Sequence, residues 1–549
     1  MTTSTTPHPR RGARARLLAA VVAAAVAGAM MTGCTAEQSA AAPGLVETSA
    51  PAQMTTVVAA DTAATRSIQM SQQLFEHSDA VVVAPSENVA AVQKAARTAI
   101  LAGIPLLLSD QASTSGSPAP TSTADPAIVS ELTRLGASQV IAVGLPAADA
   151  GVATWYRADS VEDIASLTGI PQVALIGDVS ISSLNTLTPV TDIAAGRDVT
   201  LPHPAVALTS VSVILDSPAA DLAAAATARA AGATLTLQPT PGDLLASPEM
   251  ITTLQEQPDA SVILLGSSYA DQPDPAWSIT AARTGYQLPG GGQRLLGEHR
   301  FVAIYGAPDT PVLGILGEQD VAGTIARASD LAAQYAPLSD RPVVPVLEII
   351  TTVAAGSAGG DGNYSNELDP DTIAPYIDAA AAAGMMVLLD LQPGRSDFLS
   401  QATAYADLLS RPNVGLALDP EWRLGPDEIP LEQIGSVDAA EVNAVSDWLA
   451  RLVHDQGLPP KMLVLHEFRI SMITDRAAID TSHPEIETVV HVDGQGSQPD
   501  KMATWDALLA EPPAGVGVGW KNFIDEDSPM LTPEQTMQVT PTPDLISYQ

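Results

Sequence analysis

The chain has 549 residues, and 62 acidic residues against 25 lysines and arginines give it a formal net charge of −37. That balance argues against binding nucleic acid, or an anionic bilayer, through a basic patch; the only lysines are Lys94, Lys461, Lys501 and Lys521. A single cysteine, Cys34, excludes an intramolecular disulfide and any two-cysteine metal site, and the length implies two or more domains, each with its own core.

Arg10, Arg11, Arg14 and Arg16 precede an uncharged apolar run from Leu17 to Met31, which "MTGC" closes at Cys34. A basic segment, a short apolar core and small residues before a cleavage point make a secretory signal over residues 1–33. The core is shorter than the roughly 20 residues of a spanning helix. The residues before Cys34 resemble a bacterial lipobox. The resemblance implies that Cys34 becomes a lipid-modified N-terminus and anchors the protein to the outer face of the cell membrane. Residues 34–60 are small, polar and proline-bearing, and they read as a flexible tether.

Residues 61–297 carry one pattern twice. "AVVVAPSENVAAVQKAARTAILAGIPLLLSD" (80–110) reads strand, helix, strand, and "AIVSELTRLGA" with "SQVIAVG" adds a further helix and strand. From Val211, "VSVILDSPAADLAAAATARAAGATLTLQP" repeats the order, followed by "EMITTLQEQPDASVILLGS". Continuous apolar strands between helices predict a parallel sheet covered on both faces, so this half is read as a duplicated α/β unit. "ENVAAVQKAARTAILAGIPLLLSD" and "ELTRLGASQVIAVG" resemble the cell-wall-binding repeat type 2 family, in which a small-residue helix precedes a similar strand. The resemblance covers about residues 66–147 and implies non-covalent attachment to anionic wall polymer, for which Arg97 and Arg134 are the candidate cationic donors. "PGGGQRLLG" (289–297) lacks the Lys-Ser/Thr and following helix of a phosphate loop, and it reads as a domain boundary.

From residue 298 the rhythm changes. Eight strands are predicted: "RFVAIYG" (300–306), "VVPVLEII" (343–350), "MMVLLDL" (385–391), "VGLALD" (414–419), "MLVLHEF" (462–468), "TVVHVDG" (488–494), "GVGVGW" (515–520) and "DLISY" (544–548), with helical stretches between most of them. Eight alternations in about 250 residues predict a (β/α)8 barrel over residues 298–549. No final helix follows the eighth strand, so a closing helix from ahead of the first strand is one alternative and a seven-strand variant the other.

Chemistry in such barrels gathers at the carboxyl ends of the strands. Asp390, Asp419, Glu421, His466, Glu467, His491, Asp493, Trp520, Lys521 and Tyr548 stand at or just past those ends, while Glu348 lies inside strand two. Glycoside hydrolysis needs one protonated acid and one ionised carboxylate. In "LDPEW", Asp419 and Glu421 share strand parity and are expected to point the same way. That Asp-x-Glu is similar to the strand-four motif of chitinase-like glycoside hydrolases, and the similarity implies Glu421 as general acid with Asp419 orienting it. Glu467 or Asp493 is expected as the second carboxylate. Trp422 and Trp520 are candidates for stacking on sugar faces, with Asp390, His466, His491, Lys521 and Tyr548 as further substrate contacts. Two other chemistries compete: a metal held by His466, His491 and nearby carboxylates, and a Schiff base at Lys521.

The expectation is an α/β protein, a duplicated parallel module followed by a (β/α)8 barrel, on the outer face of the membrane. Its expected partner is cell-wall or envelope polysaccharide, with no cofactor, no metal and no nucleic acid. Its expected activity is glycan hydrolysis in the barrel; the rival is a non-catalytic surface protein whose barrel is scaffold or glycan-binding module.

Overall fold

The structure is a computed structural model that describes residues 45–110, 125–145, 151–191, 198–217, 219–239 and 242–549. The expected signal segment and Cys34 lie outside the described residues. Within them, no helix is long and apolar enough to cross a membrane.

The stretch expected as a tether holds two strands. Val46–Thr48 pairs antiparallel with Phe75–Ser78, and Thr55–Val58 (β1) joins a sheet. Helix α1 (Ala63–Leu74) leads from β1 into the first α/β copy. That copy runs β2 (Ala80–Pro85), α2 (Val89–Ala102), β3 (Leu106–Ser109), α3 (Pro126–Leu135), β4 (Gln139–Val143) and β5 (Thr154–Ala158). The second runs β6 (Val211–Leu215), α4 (Leu222–Ala230), β7 (Thr234–Leu237), α5 (Pro248–Gln255) and β8 (Ser261–Leu265).

The two four-stranded sheets are all parallel, in the orders β3-β2-β4-β5 and β1-β8-β6-β7. Superposing the orders puts β6 on β2, β7 on β3, β8 on β4 and β1 on β5. The duplication is therefore complete in space, but the last strand of the second copy comes from the chain ahead of the first. Its tie is "TTVV", registered Thr55 to Val262 through Val58 to Leu265.

Local signals explain the elements. Asn88 caps α2 by accepting from Ala91 N, and Gly103 ends it at φ +67°, a left-handed position that costs other residues a Cβ clash. The edge strand β3 is closed by side chains: Thr227 Oγ1 exchanges hydrogen bonds with Leu106 N and O at 3.0 Å, and Ser67 Oγ accepts from Leu108 N at 3.0 Å. An edge paired this way cannot recruit another strand.

The second half closes. Its strands are β9 (Arg300–Gly306), β10 (Val343–Ala354), β11 (Met386–Leu391), β12 (Val414–Leu418), β13 (Lys461–Glu467), β14 (Ile486–Val492), β15 (Gly517–Asn522) and β16 (Leu545–Tyr548). Each is parallel to the next, and β9 pairs with both β10 and β16. All eight predicted strands are present. Helices α6 (Val321–Tyr335), α7 (Pro370–Ala382), α8 (Phe398–Ala404), α9 (Ala439–Gln456) and α10 (Gln498–Leu509) stand between strands. Among the described residues no helix follows β16. The helix ahead of β9, Pro275–Arg283, sits elsewhere: Trp277 donates to Leu458 O at 3.1 Å, beside the end of α9.

Alternation along the strands divides the barrel's residues. Phe301, Ala303, Val346, Leu388, Ala417, Val464 and Val489 face inward and fill the lower barrel, while Val302, Ile304, Leu347, Leu389, Leu416 and Leu465 face the helices. "PGGGQRLLG" is more than a boundary. Leu295 joins the inner cluster, and the backbone N–H groups of Leu295 and Leu296 donate to the partly buried Glu487 carboxylate at 3.2 and 2.6 Å, stopping the amino end of the barrel.

Candidate functional site

The same parity that packs apolar side chains below puts polar ones above. Tyr305, Asp390, His466, His491 and Lys521 are inward positions at the carboxyl ends of their strands, Glu348 points inward from the middle of the longer β10, and all are buried. Room for them is made by omission: a Cβ on Gly519 would lie 2.7 Å from the His491 ring.

Asp493 is the hub. Its Oδ2 lies 2.8 Å from His466 Nδ1 and 3.4 Å from Lys521 Nζ, and its Oδ1 lies 2.6 Å from His491 Nδ1. On its other side His466 Nε2 reaches Glu348 Oε1 at 2.9 Å. Both ring nitrogens of His466 thus face carboxylate oxygens, an arrangement that an imidazolium, with two N–H donors, satisfies fully. His491 differs, because Ser547 Oγ is 2.9 Å from its Nε2 and can donate there, which fits a neutral ring.

Electrostatics agree with this assignment. Burial opposes charge on His466, but Asp493 and then Glu348 outweigh it and lift its pKa well above the ordinary value. Burial would raise Asp493, yet His466, Lys521 and His491 hold it well below the usual carboxylate range. Glu348 is also lowered, its burial outweighed by His466. Burial lowers His491. Lys521 is raised, since Asp493 and Glu348 more than offset its burial; a lysine held as ammonium is not a Schiff-base nucleophile. Asp390 goes the other way, to about 6, through burial and the negative charge of Glu348, while Tyr305 donates to it at 2.8 Å.

Asp419 and Glu421 come together by a route that strand parity does not predict. The strand ends at Leu418, and Pro420–Trp422 form a short 3-10 turn. Pro420 fixes the backbone there, and Asp419 caps the turn by accepting from Glu421 N at 3.3 Å. Gly435 N donates to Glu421 O at 2.7 Å. No side chain fits at that glycine: a Cβ would stand 2.5 to 2.7 Å from the carbonyl oxygens of Arg423, Glu421 and Pro420. Burial, then the charge of Asp390, raises Asp419 well above its usual pKa. Burial, then the charge of Asp493, raises Glu421.

These groups share one cavity of about 730 Å³ at the barrel mouth, lined among others by Asp419, Glu421, Trp422, Asp493, Lys521 and Phe523. Arg395 ties the loops over it. Its N–H donates to Asn363 O at 2.6 Å, its Nε to Glu428 O at 2.9 Å, and its guanidinium lies 4.3 Å from the Tyr364 ring centroid.

Other expected site residues lie elsewhere. Glu467, one residue out of phase with His466, faces outward and pairs with Arg476 at 2.9 Å. Burial raises it to about 7 in spite of that partner. Trp520 likewise faces outward, packed on Trp505 with its indole N–H on Asn522. Tyr548 meets the Tyr335 hydroxyl at 2.5 Å under α6. Asp390, His466 and His491 are beneath the cavity floor, where they contact the lining residues Tyr305 and Asp493. Tyr305 and Gln392 line the cavity from outside the expected set, although the inward parity of "RFVAIYG" marks Tyr305.

His466, His491 and Asp493 are also one of three groups among the described residues that could hold a metal, with one donor atom of each within 4.8 Å of the others. Here, however, both nitrogens of each histidine have partners, and the pairs Glu348–His466 and Asp493–Lys521 set two anions against two cations. In the α/β half, Arg97 donates to Ala174 O and Asp178 O, and Arg134 to Glu131 and Phe75 O, so both arginines are spent within the fold.

No family model matches the chain, and no curated protein matches it. Among solved structures three chains match. One is Cwp6 from Clostridium difficile, with a TM-score of 0.27 and 15% sequence identity over 60% of this chain and 67% of that one.

Proposed function

We propose that the barrel hydrolyses a glycan of the cell envelope, with Glu421 as general acid and Asp493 as the ionised carboxylate at the anomeric carbon. The acid gives its proton to the glycosidic oxygen as the bond to the leaving sugar breaks. Positive charge then builds on the anomeric carbon and Asp493 stabilises it; water adds its hydroxyl there and gives its proton to the now ionised Glu421, which restores the acid. Asp419, buried against the turn, orients Glu421.

One observation carries this reading: a single cavity holds a carboxylate kept ionised by His466, His491 and Lys521 beside another pushed toward its protonated form by burial and the first one's charge. Environments that drive two carboxyl groups apart are how one site supplies both acid and anion near neutral pH. Trp422 and Phe523 on the wall suit the apolar faces of sugar rings. We place the protein outside the cell, tethered through lipid on Cys34, with the α/β pair carrying the barrel in the wall. Because Arg97 and Arg134 are occupied, wall adhesion falls to other surfaces.

The test is release of reducing ends from purified envelope glycans by the full chain and by Glu421→Gln. The variant is expected to bind glycan without releasing ends. Wild type releasing nothing across a broad glycan panel would favour the non-catalytic surface protein.

A further inference from the structure

The mouth cavity does not end at its aromatic wall. Phe468 and Thr504 line both it and a second depression of about 400 Å³, so the two adjoin. The outer part runs between the loop after β13 and helix α10. Its loop wall runs from Phe468 to Ser471, with the Arg469 guanidinium 5.2 Å from the Phe468 ring centroid; its helix wall is Ala503, Thr504, Ala507 and Leu508.

The helix explains why the depression exists. On α10, Trp505 and Leu508 turn inward to pack on Trp520 and Val492. The outward positions Ala503, Thr504 and Ala507, at helical neighbours i, i+1 and i+4, carry small side chains that leave the groove unfilled. On the facing loop Ile470 is 57% exposed. An aliphatic and an aromatic side chain bordering a trough that leads from a polar pocket give alternating apolar and polar contact. The two faces of a pyranose present the same alternation, C–H groups on one side and hydroxyls around the edge.

We propose that the substrate is a sugar chain several units long, whose units beyond the scissile bond lie in the Phe468–Ile470–Ala507 groove. The site is thereby selective for polymer over terminal or short sugars. This rests on the hydrolase reading for the position of the scissile bond, but the groove itself is tested by binding.

The experiment is calorimetric titration of the full chain carrying Glu421→Gln, which prevents turnover, with chito-, cello- and malto-oligosaccharides of two to six units. In a series that binds, Kd is expected to fall about tenfold or more between two and five units, as a further sugar contact of ordinary strength requires. Adding Ala507→Trp, which fills the groove from an exposed helix position, is expected to abolish that gain, and Phe468→Ala to reduce it. Affinity that is flat with length, or a gain that survives Ala507→Trp, overturns the groove and leaves the hydrolase reading standing. No binding in any series overturns both.

Discussion

His466 stands between two carboxylates, 2.8 Å from Asp493 through Nδ1 and 2.9 Å from Glu348 through Nε2, and is itself buried. A charge so placed has a large desolvation cost that only its partners offset, so each of the three depends on the other two. Stability should therefore track their protonation. His466 has a folded pKa raised above its unfolded value, so its contribution is full below about pH 6.5 and is lost as pH rises through the folded pKa. Asp493 and Glu348 are depressed, so theirs is full above about pH 4.5 and is lost as pH falls through their folded values. In denaturant unfolding across pH 3 to 9, the decline above about pH 6.5 is expected to be smaller in His466→Gln than in the wild type. An unchanged alkaline decline in that variant speaks against the charged ring.

Lys521 supplies Asp493 with a cation at 3.4 Å. Replacing it with methionine removes that charge, so the Asp493 pKa rises. If Asp493 works as an anion, the acidic limb of the activity profile moves up by about one pH unit. A limb that stays in place means that another group sets it.

Gly435 tests the turn that carries Glu421. Gly435→Ala drives a methyl into three carbonyl oxygens, and the turn must move to relieve it. Displacement of an acid by even about 1 Å costs on the order of a hundredfold in rate. Rate measured beside thermal unfolding should show that loss in a protein that still folds. Wild-type rate in Gly435→Ala argues against Glu421 as the acid.

Glu467 and Arg476 are expected to matter for folding alone. Arg476→Met leaves a buried carboxylate without its partner, a change that costs about 3–5 kcal/mol in comparable pairs. Glu467→Gln should keep full activity per folded molecule. Loss of activity without loss of stability in Glu467→Gln returns that residue to the catalytic group.

The strands of the barrel were legible because each is an apolar run bounded by helix, and a parallel strand buried on both faces has to be such a run. Which end residues meet was only partly legible. Parity alone separates inward His466 from outward Glu467, and inward Lys521 from outward Trp520, and it picks out Tyr305 and Glu348. Nearness to the strand end, taken without parity, brings Glu467, Trp520 and Tyr548 into the expected site. Asp419 and Glu421 meet through a turn closed by Gly435, fourteen residues further on than Glu421, a distance that strand periodicity does not see. Strand β1 was hidden for a different reason. "TTVV" among small polar residues carries no pattern of its own, and it is a strand because β8 offers it an open edge. A fragment begun at residue 60 would lack that strand, so tests of wall adhesion belong on the full chain.

The proposed hydrolysis requires that Asp493, ionised at the barrel mouth, take part in breaking a glycosidic bond. The most direct measurement is the initial rate of reducing-end release from purified cell walls by the wild type and by Asp493→Asn, each confirmed folded. Release by wild type and a fall of about a thousandfold in the variant are expected. Equal rates in the two proteins would contradict it.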